Sequence, residues 1–261
     1  FFEEPETPLP VEAGPGYHAL VRHADVVEAS RNPQIFCSGQ GGAVSIPDMP
    51  TEFAEYFGSM INMDDPRHAR LRRIVSRAFT PRMVKKLEGD VEAAARKIVD
   101  DLLRIGPGCD FVTEVAAKLP LKIICDMMGI PERDYHFVFE RSNIILGSSD
   151  REYVSDAESI GTALLTAGME LNQLLQDLAA YREKNPTNDI TSALINANID
   201  GERLTPQEIG SFFILLVVAG NETTRQAISH GLYLLTVHPD QKHRWLQDIE
   251  GYTPTAVEEI V

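Results

Sequence analysis

This sequence predicts a mainly α-helical fold built around one long central helix, and three observations predict it. From about Asp65 onward, apolar residues recur at helical spacing almost without a break. Four dipeptides place a capping residue directly before a proline: Asp65-Pro66, Thr80-Pro81, Thr205-Pro206 and Thr253-Pro254. The pattern that begins at Pro206 runs for about 32 residues, roughly 48 Å at 1.5 Å per residue. Its first half is apolar on all sides, as in the central helix of a large helical protein.

Residues 1–60 are rich in Pro and Gly. "GYHALVRH" alternates briefly and predicts a strand or two, so small β elements near the N-terminus, followed by a short helix from Ala24 to Arg31. "CSGQGGAVSIPDMP" reads as a loop. Helical patterns then cover 67–78, 81–105, 113–128, 132–146, 153–184, 188–196, 205–237, 239–249 and 254 onward. The best-marked start is "LTPQE", with Thr205 as N-cap, Pro206 at the first helical position and Glu208 completing a capping box. "IDGERL" reads as a short hairpin or turn. No internal repeat or low-complexity tract interrupts the pattern.

The bulk composition excludes several classes. A net charge of -15 argues against a general nucleic-acid binder, which needs a basic surface to replace counterions. The longest apolar run falls far short of the roughly 20 residues of a membrane span. Cys37, Cys109 and Cys125 are widely spaced and give neither a disulfide framework nor a zinc motif, which suits a reducing cytoplasm. The sequence opens on Phe1-Phe2 without Met and stops at Val261 inside a helical pattern, so it reads as cut at both ends.

Two segments carry chemistry. In "SFFILLVVAGNETTRQ" eight apolar residues, Phe212 to Ala219, run into Gly220, Asn221, Glu222, Thr223 and Thr224. Gly220 costs about 1 kcal/mol against Ala in a helix interior. The Thr223 hydroxyl can bond back to the carbonyl of Ala219 and bend the helix. Glu222 is expensive if buried without a partner. Together they describe a groove with a hydroxyl, a proton source and a bare backbone; taken alone, they equally describe a helix crossing at Gly220 with Glu222 on a solvated edge. The second segment, Asp65 to Glu88, holds eight Lys or Arg and no acid between its ends. His68 and Arg72, four residues apart, share a helix face that suits carboxylates, with Leu71, Ile74, Val75 and Ala78 as the packing face. Taken alone, this is a solvated basic face.

In order and spacing, "DDPRHARLRRIVSRAFTPR", "CDMMGIP", "AGNETT" on a long helix, "HPDQ" and "PTAVEEIV" resemble the cytochrome P-450 family of haem-thiolate monooxygenases, over about Tyr17 to Val261. The resemblance implies one incomplete domain over 1–261, from about the family's B helix to the start of its K helix. The helix from Pro66 would be the C helix, with His68 and Arg72 holding the propionates of haem b. The helix from Pro206 would be the I helix across the distal haem face, its Ala219 and Gly220 lining the oxygen pocket. Thr223 would hydrogen-bond the bound dioxygen and Glu222 would be the acid of the proton relay. Leu215, Val218 and Ile61 would face substrate. Glu259 would be the structural Glu of the Glu-x-x-Arg motif.

The family's thiolate loop, Phe-x-x-Gly-x-x-x-Cys-x-Gly, is absent from these residues. None of Cys37, Cys109 and Cys125 fits it, so no metal ligand is assigned and the axial cysteine would lie beyond Val261. The resemblance therefore implies that the 261-residue chain alone binds no haem with a thiolate signature and is inactive. The parent enzyme would hydroxylate an apolar lipid, steroid or terpenoid, most like the bacterial members that oxidise a methyl-branched or steroidal terminus. Its electrons would come from a ferredoxin and ferredoxin reductase docking near Arg70, Arg73 and Arg77. The competing reading is a non-catalytic helical module that binds a hydrophobic ligand or partner; such a module needs neither the Glu222-Thr223 pair nor His68 and Arg72.

Overall fold

Eleven helices in chain order make up most of the computed structural model, which describes residues 1–3, 14–40, 46, 48–148, 150–154, 160–198 and 201–261. They are α1 (His23–Arg31), α2 (Thr51–Gly58), α3 (Arg67–Ser76), α4 (Pro81–Ile105), α5 (Lys118–Met128), α6 (Tyr135–Leu146), α7 (Ile160–Lys184), α8 (Ile190–Asn196), α9 (Pro206–Val237), α10 (Pro239–Gln247) and α11 (Ile249–Ile260). The 32-residue helix α9 forms the axis, with α2, α5, α6 and α7 packed against it.

The start of α9 is fixed as its capping box requires. The Glu208 amide donates to Thr205 Oγ1 at 3.2 Å, and the Thr205 amide donates back to Glu208 Oε2 at 2.8 Å. Two of the helix's orphan amides are thereby satisfied. Beyond the cap, Ile209, Phe212, Phe213, Ile214 and Val217 are buried. They share one core with Leu71 and Ile74 of α3, Ile124 and Met128 of α5, Val138 of α6, and Leu171 and Leu175 of α7. Burying each such side chain contributes roughly 1.5–3 kcal/mol, so the apolar first half of α9 is what gathers the neighbouring helices.

Other local signals hold as well. Thr80 Oγ1 accepts the Met83 amide at 3.2 Å and Pro81 opens α4, which spans the 81–105 of the sequence pattern. Asp189 caps α8 by accepting the Ser192 amide at 2.7 Å.

The departures have physical causes. The expected strand near the N-terminus reduces, among the described residues, to one antiparallel bridge in which Phe2 and Tyr17 exchange amide bonds at 2.8 and 2.9 Å. Thr51–Gly58 is a helix, continued by a 3-10 turn over Ser59–Asn62, in a stretch the sequence pattern left without an element. It is short and is held by non-local bonds: Arg67 forks onto Glu55, and Ser211 donates to the Glu55 carbonyl at 2.6 Å. Asp65 is not the N-cap of α3, which begins at Arg67; its carboxylate accepts the Ala69 amide at 3.1 Å. The 113–128 pattern divides into a π turn over Val112–Ala116 and α5. The 153–184 pattern becomes a turn at 151–153 and α7; residues 155–159 of that prediction lie outside the described residues, as do 199–200 of "IDGERL".

Thr253 is not an N-cap either. Asp248 takes that role by accepting the Gly251 amide at 3.0 Å, since a carboxylate is an equally good cap five residues nearer the preceding helix. Pro254 thus lies inside α11. The Thr253 hydroxyl donates to the Ile249 carbonyl and accepts the Trp245 indole N–H at 2.9 Å.

Candidate functional site

The polar stretch does not break α9: the helix runs through Gly220 to Val237. Thr223 and Ala219 are exposed, one turn apart on one face, and the Thr223 hydroxyl donates to the Ala219 carbonyl at 2.7 Å. That back-bond occupies the hydroxyl proton and leaves its oxygen lone pairs turned to whatever approaches the face. Leu215 and Val218 are half-buried and pack on the main core. Ile61, in the 3-10 turn after α2, is 42% exposed.

Gly220 stands at a helix crossing, the alternative its sequence context offered. A Cβ there would stand 2.9 Å from Ile124 Cδ1 of α5, so the missing side chain seats the α5–α9 crossing. Ala219 supplies the small side chain of the exposed face that carries Thr223.

Glu222 has the partner its burial demands. Arg225, one turn on and 8% exposed, forms an ion pair with Glu222 Oε2, while Gln226 Nε2 donates to Oε1 at 2.8 Å. Arg225 in turn donates to Asn143 Oδ1 of α6 at 3.0 Å and lies 5.9 Å from the centroid of Phe139. Asn221 beside them is fully buried, and neither polar atom of its amide has a partner. Sequence reasoning missed Arg225, Gln226, Asn143 and Asn221. The Glu222–Arg225 and Glu222–Gln226 spacings of three and four were readable as helix pairs; Asn143, 82 residues away, was not.

The basic helix α3 divides its charges between two flanks of its buried face. Arg67, Arg70 and Arg73 fall at intervals of three on one flank. Arg67 forks onto Glu55 at 2.6 and 2.7 Å, Arg70 reaches Glu208 at 2.6 Å and the Arg203 carbonyl at 2.8 Å, and Arg73 meets Glu202 at 3.3 Å. Arg70 therefore ties α3 to the capping box of α9. On the other flank His68 is half-buried, its Nδ1 3.6 Å from Asp65 Oδ1, and Arg72 is exposed with no ion pair among the described residues. His68 and Arg72 make no hydrogen bond to Ala219, Thr223 or Glu222 among the described residues. Of the three arginines expected to meet a partner, Arg70 and Arg73 are engaged internally, and Arg77 alone has no carboxylate among the described residues.

Glu259 is remote from both segments. It is exposed on α11 and lines a groove of about 670 Å³ with Leu234, His238, Arg244 and Trp245, between the end of α9 and the helices α10 and α11. The cysteines offer little chemistry here. Cys125 is sealed in the core, where burial, helped by the charge of Asp126, pushes its thiol up to about 12. Cys37 is exposed and Cys109 half-buried. Among the described residues no group of three His, Cys, Asp or Glu side chains could hold a metal ion, and no helix is long and apolar enough to cross a membrane.

The donor set nevertheless suits one kind of ligand. Arg72, unpaired, and His68, weakly held, can take carboxylates, and the Ala219–Thr223 face offers a small side chain beside a hydroxyl. A flat, apolar ring bearing carboxylates, such as haem, fits those requirements.

Comparisons with known proteins agree on one family. The cytochrome P450 family model matches residues 48–256. A methyl-branched lipid omega-hydroxylase of Mycobacterium tuberculosis is 49% identical over 251 residues, covering 95% of this chain and 57% of that protein. A steroid C26-monooxygenase of Mycolicibacterium smegmatis is 36% identical over 263 residues, covering 94% of this chain and 60% of that protein. A Mycobacterium marinum cytochrome P450 solved in complex with pseudoionone superposes with a TM-score of 0.84 at 43% identity, over 92% of this chain and 57% of that one. The chain thus spans little more than half the length of the relatives it matches.

Proposed function

The chain belongs to the cytochrome P450 family, and from that premise we propose that it is the oxygen-side portion of a haem-thiolate monooxygenase acting on an apolar small molecule. The overall conversion inserts one oxygen atom of dioxygen into a C–H bond. Two electrons and two protons reduce the other oxygen atom to water. The observation that supports this reading best is the Ala219–Thr223 face with Glu222 anchored beside it.

Haem, when bound, supplies dioxygen binding and the oxidising power. This chain's residues supply position and protons. His68 and Arg72 would bind the ring's carboxylates. Ala219 would leave room for the ring beside the helix, and the Thr223 hydroxyl would hold or hand on a proton at its Oγ1. Glu222 would exchange protons between solvent and that hydroxyl. Gly220 would act indirectly, by letting α9 lie close to α5. None of Cys37, Cys109 and Cys125 fits a thiolate-ligand loop, so these 261 residues by themselves should give no thiolate-type ferrous–CO absorbance.

For substrate, we propose the methyl terminus of a branched-chain or steroidal lipid. The names of the lipid and steroid hydroxylases support that class, as do the apolar Leu215, Val218 and Ile61. A ferredoxin with its reductase would deliver the electrons, meeting Arg77, the one of Arg70, Arg73 and Arg77 that has no carboxylate partner among the described residues. A rate of reduction insensitive to ionic strength would count against that docking. The reading is tested on the protein at full length, with a panel of methyl-branched fatty acids, sterols and terpenoids. A spin-state shift on binding and a hydroxyl at the branched terminus are expected; absence of both for every lipid overturns it.

A further inference from the structure

We infer that Arg225 is a positioning residue: it fixes the direction of the Glu222 carboxylate and keys it, through Asn143, to helix α6. The inference rests on the reading of Glu222 as the acid of the oxygen site. Four observations lead to it.

First, Arg225 is 8% exposed, and Glu222 is the one carboxylate among the described residues paired with it. A buried guanidinium without its anion is costly, so the two groups are bound to move together. Second, the guanidinium is itself immobilised. One arm goes to Glu222 Oε2, the other donates to Asn143 Oδ1 at 3.0 Å, and the carbon between them sits 5.9 Å from the Phe139 ring centre. A planar fork held at two arms and against a ring has one orientation. Third, Gln226 Nε2 holds the remaining oxygen, Oε1, at 2.8 Å. Both carboxylate oxygens are thus gripped from residues one turn further along α9, which fixes the orientation of the Glu222 carboxylate. Fourth, stability alone does not account for the arrangement. A buried ion pair is about neutral against an apolar pair of the same volume, whereas it specifies geometry.

Asn143 also places the second anchor on α6, directly before Ile144 and Ile145. A change of α6 therefore reaches the acid through one amide. Lysine at position 225 would keep the charge but lose the fork, so it should hold Glu222 without aiming it.

The test uses the full-length, haem-loaded protein and compares Glu222→Gln, Arg225→Gln, Arg225→Lys and Asn143→Ala. The measurements are the ratio of hydrogen peroxide to hydroxylated product, and the unfolding free energy of the same proteins. We expect Arg225→Gln to raise the peroxide ratio about tenfold, as loss of a placed proton carrier does. Arg225→Lys should recover it only in part, and Asn143→Ala should raise it about twofold, as loss of one bond in a network does. In unfolding, Asn143→Ala and Glu222→Gln should be non-additive although the two side chains do not touch, and the coupling should vanish in an Arg225→Gln background. A lower stability with an unchanged peroxide ratio in Arg225→Gln makes Arg225 a purely structural residue and overturns the inference. Should Arg225→Gln fail to fold, an unchanged ratio in both Arg225→Lys and Asn143→Ala overturns it equally. An unchanged ratio in Glu222→Gln overturns the assignment of the acid itself, which separates that failure from the failure of the positioning role.

Discussion

Among the described residues, two ion pairs hold an arginine against a carboxylate with little exposure to solvent, and they are built differently. At the junction of α5, α7 and α8, Arg182 donates to Asp189 Oδ2 at 2.6 Å and to the Gly129 carbonyl at 2.9 Å. Asp189 also accepts the Thr187 hydroxyl at 2.5 Å and the Ser192 amide at 2.7 Å, and Thr191 closes the junction by donating to the Met128 carbonyl at 2.6 Å. Gly129, with φ of 74°, sits so close that a Cβ would meet Asp189 Oδ2 at 2.1 Å. Burial pushes the Asp189 carboxyl up, but the bonds from Thr187, Ser192 and Arg182 outweigh it and hold it below the usual carboxylate range. At Glu222 and Arg225 the same pair is assembled from within one helix, next to an exposed hydroxyl and a buried, unpartnered Asn221 amide. A closed network rigidifies, while an open one keeps capacity for a further ligand. The difference separates a structural ion pair from a chemical one in the same fold.

Breaking the closed network should produce the largest effect. Asp189→Ala leaves a buried guanidinium without its anion, and we expect a loss of about 3–5 kcal/mol in chemical unfolding. Residual activity per folded molecule should be unchanged. The open network should respond the opposite way. Thr223→Val keeps the volume of an exposed side chain, so stability should shift by less than about 0.5 kcal/mol. Product formation in the full-length protein should fall about a hundredfold, because a placed proton carrier is lost. Equal losses of stability from the two substitutions would erase the distinction between the regions.

A pH titration sharpens the same contrast with a smaller effect. The folded-state pKa of Asp189 is depressed, so its contribution is fully present above the unfolded value of about 3.9 and is lost as pH falls through the folded value. Unfolding free energy of the native chain should therefore decline through that acidic window. The decline should be shallower in Asp189→Asn, and a slope identical in both proteins would remove Asp189 as its source.

How much of this was legible follows from sequence distance. The N-cap at Thr80, the capping box at Thr205 and the Thr223–Ala219 back-bond involve residues three or four apart, and the sequence alone places them. Arg225 was equally local to Glu222, yet a helix pair carries no sign that it is buried. The second anchor on Asn143, the clasp of Arg70 on Glu208 and the helix at Thr51 depend on contacts many residues apart, which no local pattern encodes. Asp248 displaced Thr253 as a cap because two good caps stood five residues apart, and contact with Trp245 gave the threonine another role.

Gly220 shows the remaining gap most directly. A glycine in a helix announces that something comes close, but not from which side. Here the near neighbour is Ile124 Cδ1 of α5. Gly220→Ala should therefore have the smallest effect of the series. Helix propensity contributes about 1 kcal/mol in its favour. Crowding a core side chain costs about 1–3 kcal/mol, at the low end because the atom met is the tip of an isoleucine. The net change in unfolding free energy should lie within about 1 kcal/mol. The peroxide-to-product ratio should stay at the native value, since the new methyl points at α5. A raised ratio at unchanged stability would mean that the methyl intrudes on the Thr223 face, and would return Gly220 to the groove itself.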